Sequence, residues 1–199
     1  MLDTPDEDGL AQRLKQGDEA AFVELYRRWQ GPLYRFAYRM TGSAGLAEDA
    51  VQEVFLAVIQ RLDHYDPARG PIGPYLYGMA RNHVLRRLER ERPYLQLVEG
   101  AEDRFRQPDE DAQAGLLRRE ENAALRAGIL SLPAHYREAI VLCDLQTLSY
   151  EAAAASIGCA VGTLRSRLHR GRAILAERLR ARDEAPTHAT FLKPGGALS

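Results

Sequence analysis

Long apolar runs are missing from this chain. No uninterrupted stretch approaches the ~20 residues that a spanning helix needs, although 45% of the 199 residues are hydrophobic. That argues against a helical membrane protein and still leaves enough apolar material for packed cores. The opening segment, MLDTPDEDG, is acidic and lacks the basic, then apolar, then small-residue order of a secretory signal. A cytoplasmic location is therefore expected. Cysteine is equally sparse: Cys143 and Cys159 stand far apart and without metal-ligand spacing, which favours buried free thiols in a reducing compartment over a disulfide or zinc site. β-Branched runs are scarce, no segment reads as a strand, and no internal repeat is visible. The histidines at 64, 83, 135, 169 and 188 are scattered. With no glycine-rich phosphate cradle and no nucleophile elbow, neither an enzyme nor a metal, cofactor or small-molecule substrate is implied.

What is present is leucine, alanine and arginine, with apolar residues recurring at three and four, so the chain reads as all-α. Gly9 to Gln16 predicts a short helix, and Asp18 an N-cap for the next, with Ala21, Phe22, Leu25 and Tyr26 inward. Gly31 and Pro32 interrupt that pattern before Leu33, Phe36, Ala37 and Met40 resume it, and Thr41-Gly42-Ser43 makes a turn. Leu46 to Leu62 is strongly amphipathic, with Ala50, Val51, Val54, Phe55, Val58, Ile59 and Leu62 on the apolar side. The Pro- and Gly-rich span from His64 to Pro74 predicts an ordered loop, followed by a helix from about Tyr75 to Glu91. Further helices are expected over Glu120 to Leu132 and from Pro133 to Leu145. This divides the chain into an acidic N-terminus (1–9), a first helical domain (10–92), a flexible acidic linker (93–119), a second helical domain (120–182) and a flexible tail (183–199).

The most informative stretch is LSYEAAAASIGCAVGTLRSRLHRGR, from Leu148 to Arg172. It reads as two helices joined by a glycine turn: Ala154 sits where the helices approach, Gly158 supplies left-handed backbone, and Leu164 pins the second helix to the first. Val161, Leu164 and Leu168 share one face, which leaves Gly162, Thr163, Arg165, Ser166, Arg167, His169 and Arg170 facing outward. Arginine and serine contact phosphates and base edges. The plainer alternative is a solvated basic helix. A net charge of -1 and a pI near 6.5 speak against a nucleic-acid partner only until the distribution is considered. From Ala160 to Arg182 the arginines at 165, 167, 170, 172, 178, 180 and 182 face the single acid Glu177. That face is basic enough to steer toward phosphate.

Two more clusters stand out. Tyr75, Tyr77, Arg81, Asn82, His83, Arg86 and Arg87 follow the Pro/Gly loop and combine rings for stacking, an amide for a base edge and guanidiniums for phosphates, a set suited to single-stranded bases. Either tyrosine could equally be a core aromatic. Glu48, Asp49, Gln52 and Glu53 form an acidic stripe at helical spacing, which is either a solvated face or a docking surface.

The order of these motifs resembles a known family. AEDAVQEVFLAVIQRL from Ala47, YLYGMARNHVLRRL from Tyr75, an acidic tether and LPAHYREAIVLCDLQTLSYEAAAASIGCAVGTLRSRLHRGRAIL from Leu132 are similar to a bacterial RNA polymerase sigma factor of the extracytoplasmic-function group. The likeness spans about residues 10 to 182. It implies a sigma-2-like domain and a sigma-4-like helix-turn-helix domain that bind core RNA polymerase and direct promoter recognition, −10 melting and initiation. Asp49, Gln52, Glu53 and Phe55 match the segment that docks on the polymerase. Tyr75, Tyr77, Arg81, Asn82 and Arg86 fall in the −10 segment, and Thr163, Arg165, Ser166, Arg167, His169 and Arg170 in the −35 recognition helix. The resemblance also implies an anti-sigma factor, often membrane-anchored, as a partner. The chain departs from the family at Ile72 and Tyr75, where an aromatic and a tryptophan are common, at Gly78, where arginine is common, and over Ala152 to Ala155, where isoleucine and glutamate are frequent. A stand-alone repressor or activator is the rival reading.

Overall fold

The computed structural model describes residues 7–61, 65–66, 70–95 and 114–183. Among these described residues eight α-helices occur in the order α1 (Glu7–Lys15), α2 (Glu19–Thr41), α3 (Ala44–Arg61), α4 (Ile72–Leu95), α5 (Ala114–Leu130), α6 (Ala134–Ile140), α7 (Tyr150–Ile157) and α8 (Val161–Asp183). A π-helical turn, Val141–Leu145, extends α6. No strand occurs among the described residues. The sequence-predicted linker falls mostly outside them, as does the tail beyond Asp183, and α5 begins earlier than the expected Glu120.

The first bundle packs α1 to α4. Asp18 caps α2 as expected, its carboxylate accepting from the Ala20 and Ala21 amides at 2.9 and 3.3 Å. The helix then runs unbroken through Gly31 and Pro32, contrary to the expected interruption. A proline inside a helix costs about 3 kcal/mol, but Leu25, Leu33, Phe36 and Met40 are completely buried along the same helix. Each such side chain returns about 1.5–3 kcal/mol, so packing overrides the local penalty. Gly42 ends α2 in the left-handed region, its N–H bonded to the Tyr38 carbonyl at 2.7 Å. Helix α4 begins at Ile72 and not at Tyr75, because amides in a first helical turn need no intrahelical acceptor and Pro74 loses nothing there. Gly73 lies against the Trp29 indole, where a Cβ would come within 2.4 Å of the ring.

The second bundle is α5 to α8. Ser149 caps α7 by accepting from the Ala152 amide at 3.1 Å, and Gly158 closes it at φ +75°, with its N–H on the Ala154 and Ala155 carbonyls. Leu164 and Leu168 are buried beneath α8, and Gly171 lets α8 cross close to Ile140 and Tyr136. The expected helix-turn-helix geometry is present, with a second helix far longer than its partner. Where one helix was expected through Leu145, the last turn widens instead: the Gln146 amide reaches the Val141 carbonyl at 2.9 Å, one residue beyond α-helical spacing.

The bundles pack on each other, α7 against α4 and α5, α6 and the π turn against α2. Two arginines join them at helix ends, where carbonyls lack intrahelical donors. Arg39 of α2 donates to the Leu145 carbonyl at 2.8 Å. Arg137 of α6 donates to the carbonyls of Met40, Leu130 and Leu132, the first in the last turn of α2, the second at the end of α5 and the third just past it. Burial pulls the Arg137 pKa down, yet a guanidinium so placed keeps its charge.

At Gly158 an added Cβ meets nothing within 4 Å, so only backbone strain opposes a side chain. Gly158→Ala is expected to cost about 1–2 kcal/mol, the left-handed penalty of an L-residue, measured by urea unfolding. An unchanged midpoint would show that the turn does not require its left-handed backbone.

Candidate nucleic-acid and polymerase-binding surfaces

Helix α8 presents Thr163, Arg165, Ser166, His169 and Arg170 to solvent in consecutive turns. Ser166 Oγ donates to the Thr163 carbonyl at 2.8 Å, and the Arg165 guanidinium lies over the Tyr150 ring, 5.6 Å from its centroid. Arg167 departs from the expected outward set. Its Nη1 donates to Glu138 Oε1 at 3.1 Å, and the side chain is largely covered. Arg172 is likewise engaged, in a two-pronged pair with Asp144 at 2.6 and 3.0 Å that ties α8 to the π turn. The hydrogen bond to Asp144 raises the Arg172 pKa.

Glu138 escaped the sequence reading. It is 1% exposed and also accepts from Arg81, Nε to Oε2 at 2.6 Å and Nη2 to Oε1 at 3.3 Å. One carboxylate thus collects an arginine from α4 and one from α8. The signal that could have found it is an acid with Val141 and Leu142 three and four residues on, an apolar stripe into which a carboxylate goes only with partners.

The residues expected at the −10 element divide. Asn82 and Arg86 are exposed on α4, with Arg86 Nε donating to the Asn82 carbonyl at 3.2 Å. Tyr75 is half-buried, its ring 5.3 Å from that of Tyr65. Tyr77 is 3% exposed, edge-on to Trp29 and Phe36, with its hydroxyl toward Gln146. It is a core aromatic and unavailable to stack on a base here; burial pushes its pKa up to about 12. A cleft of about 940 Å³ between α3 and α4 brings Tyr75, Asn82 and Arg86 together with Glu53, Leu56 and His83.

On α3, Gln52 and Glu53 are exposed, while Asp49 pairs with Arg87 at 3.0 Å. Phe55 is buried, against Phe22 and beneath Tyr26. It can therefore shape the surface but not form it. The surface is apolar where the sequence placed core: Ile59 is 64% exposed, and Leu56, Tyr26 and Val23 are also open. Tyr26 and Ile59 had been assigned inward because helical periodicity resolves a face only to within a residue or so. Exposed large apolar side chains flanked by acids are the composition of a protein-binding surface. The thiols of Cys143 and Cys159 are free and partly buried, and burial raises Cys143 to about 11. Among the described residues no cluster could hold a metal, and no helix is long and apolar enough to cross a membrane.

The architecture defines a two-lobed helical protein with a helix-turn-helix in the second lobe. Residues 25–94 match the model for Sigma-70 region 2, and residues 122–175 that for Sigma-70 region 4. The chain is 38% identical to the ECF RNA polymerase sigma factor SigE of Mycolicibacterium smegmatis, over 82% of its own length and 64% of that relative's. It is 30% identical to the RNA polymerase sigma-H factor of Pseudomonas aeruginosa, over 86% of this chain and 93% of that one. The solved structure of CnrH in complex with the cytosolic domain of CnrY superposes with a TM-score of 0.68 at 29% identity, covering 88% of this chain and 99% of that one. The chain belongs to the sigma-70 family, as an alternative sigma factor of the extracytoplasmic-function group. Members of this family act in promoter recognition and transcription initiation and are not enzymes.

His83, in the α3–α4 cleft, has a buried Nε2 without a hydrogen-bond partner, and desolvation lowers its pKa, with Glu53 opposing. The unfolded chain therefore takes up this proton first. Its contribution to stability is complete above about pH 6.5, the unperturbed value, and is lost as the pH falls below it. Urea midpoints at about pH 8 and about pH 5 are expected to differ less in His83→Gln than in the native chain. Equal differences in the two would exclude His83 as the source.

Proposed function

We propose that this chain binds core RNA polymerase through the exposed face of α3, reads duplex −35 DNA with α8, and opens and holds the −10 element with α4. The observation that carries this reading is the separation of three surfaces of different chemistry on one helical frame. The first is acidic and apolar (Gln52, Glu53, Leu56, Ile59), the second basic and regularly spaced (Thr163, Arg165, Ser166, His169, Arg170), and the third mixed aromatic and basic (Tyr75, Asn82, Arg86).

Their roles follow from that chemistry. An exposed arginine on α8 can pair bidentately with guanine, worth about 1–3 kcal/mol of discrimination against a wrong base. Thr163 and Ser166 supply short hydroxyls near the helix N-terminus for phosphate or base edges. Extruding a base at −10 costs a few kcal/mol, which the Tyr75 ring and the Asn82 amide offset, with Arg86 on phosphate. Asp49 acts through Arg87 and so positions α3 against α4, while Phe55 props the ring of Tyr26 at the polymerase-facing surface. Arg81 and Arg167, although in the expected DNA-binding sets, become available only when Glu138 releases them. The chain contributes recognition, and the polymerase performs the chemistry. An anti-sigma factor is a natural partner; the similarity to CnrH, solved in complex with the cytosolic domain of CnrY, supports a protein partner of this kind. Action beside the polymerase also fits a cytoplasmic location.

Two variants separate the surfaces. Glu53→Lys combined with Ile59→Glu is expected to weaken core-polymerase binding at least about tenfold, a loss of about 1.4 kcal/mol, with DNA binding retained. Arg165→Ala combined with Arg170→Ala should weaken −35 duplex binding by a similar factor and spare the polymerase. Binding assays with purified core enzyme and run-off transcription check both. A double variant that loses both partners together would contradict the division of labour.

A further inference from the structure

The lobes are held together by groups that the proposed function needs elsewhere. Arg81 lies on the −10 helix and Arg167 on the −35 helix, yet both point at Glu138. Arg39 and Arg137 exchange helix-end contacts between lobes, and Gln146 bridges the Tyr77 hydroxyl and the Pro32 carbonyl, each at 3.4 Å. The close approach of α7 to α4 depends on one position. At Gly78 a Cβ would lie 3.3 Å from the backbone carbonyl oxygen of Ser156, tighter than ordinary van der Waals contact. Backbone cannot swing aside as a flexible side-chain end can, so a Cβ at 78 requires α7 to give by a few tenths of an ångström, and a longer side chain there loads the contact further.

We propose that the chain is autoinhibited by this docking: glycine at 78 admits α7 onto α4, and Glu138 of the second lobe latches the closed state by holding Arg81 of the first away from DNA. The inference rests on the promoter-binding reading of α4 and α8. The latch is built to open. A buried ion pair recovers little beyond its own desolvation cost, and an interface held by arginines on carbonyls and a carboxylate is polar enough to part reversibly. DNA phosphates compete for the Arg81 guanidinium that bridges the lobes. When they win, Glu138 keeps only Arg167, its partner within the second lobe, and loss of the Arg81 pair favours separation of the lobes and hydration of the carboxylate, so opening and DNA binding are linked.

The experiment uses the full chain. Small-angle X-ray scattering gives its dimensions, fluorescence anisotropy gives its affinity for a labelled random-sequence duplex, and circular dichroism gives its helix content. Gly78→Gln adds a neutral, helix-favouring side chain outside the −35 helix, and Glu138→Gln weakens the latch without changing its size. Both are expected to keep the native helix content, to increase the radius of gyration, and to tighten duplex binding about fivefold or more, the factor by which a sparsely populated open state depresses affinity. A native chain already as extended as both variants, or opened variants that bind duplex no tighter, would overturn the proposal. Should one variant lose helix content, the other decides. Run-off transcription with core polymerase tests the underlying reading separately: tighter duplex binding by the variants without any initiation would refute the promoter function and uphold the clasp.

Discussion

A carboxylate with almost no exposed surface sits where the two lobes meet, and the arrangement of the molecule turns on it. Left alone, Glu138 would cost several kcal/mol of desolvation. It is tolerable only because Arg81 and Arg167 arrive from different helices to neutralise it. That requirement fixes the rotation of α6 about its axis, the distance between α4 and α8, and the direction of two guanidiniums. Apolar packing alone would hold each bundle together but would leave their mutual orientation loosely determined, because hydrophobic burial is not directional. The charge supplies direction.

Arginine does three kinds of work here, and the net charge of -1 conceals all of them. Some arginines finish backbone hydrogen bonding at helix ends, as Arg39 and Arg137 do. Others balance an acid across an interface, as Arg81, Arg87, Arg167 and Arg172 do. The exposed set on α8, Arg165 and Arg170 among them, remains oriented to solvent. Lysine could not reproduce the contacts of Arg137, Arg81 or Arg172, whose guanidinium forks each reach two or more acceptors in fixed geometry. The arginines free to meet a polyanion are therefore fewer than the sequence count suggests, and α8 carries a regularly spaced set of them, with Arg86 on α4 also exposed.

Helix content and the helix-turn-helix were legible because they rest on local rules. Asp18 and Ser149 as caps, Gly42 and Gly158 as left-handed ends, and Leu164 with Leu168 as a buried pair each follow from a few neighbouring residues. The misreadings all involve a tertiary contact outvoting a local preference. Pro32 sits inside α2 because residues on both sides of it are buried together. Ile72 to Pro74 are helical because the first turn needs no amide donors and Gly73 is pressed to Trp29. In the site, the chemistry of each cluster could be read, but not which members face outward. Tyr77 and Phe55 are aromatic residues consumed by the core, whereas Ile59 and Leu56 are aliphatics left outside. Glu138 and Arg167 could not have been paired from sequence, since nothing in the 28 intervening positions signals that α6 and α8 cross.

The same residues explain why the lobes can be coupled without being fused. Among the described residues the polar bridges between them run from side chains to helix-end carbonyls, to the Pro32 carbonyl inside α2 or to other side chains, and none is a continuous run of backbone hydrogen bonds such as a sheet would form. Water can replace each of these partners one at a time, at a net cost of about 0.5–1.5 kcal/mol per hydrogen bond. The bundles retain their own interiors, Phe36 and Leu76 in one and Leu142 and Leu164 in the other, whatever happens at the seam. Separation also uncovers the apolar packing of α7 on α4, where Ala153, Ala154 and Ile157 are buried, while returning charged side chains to solvent. A boundary of that mixed composition lets a partner, nucleic acid or protein, shift the balance by taking hold of the released arginines.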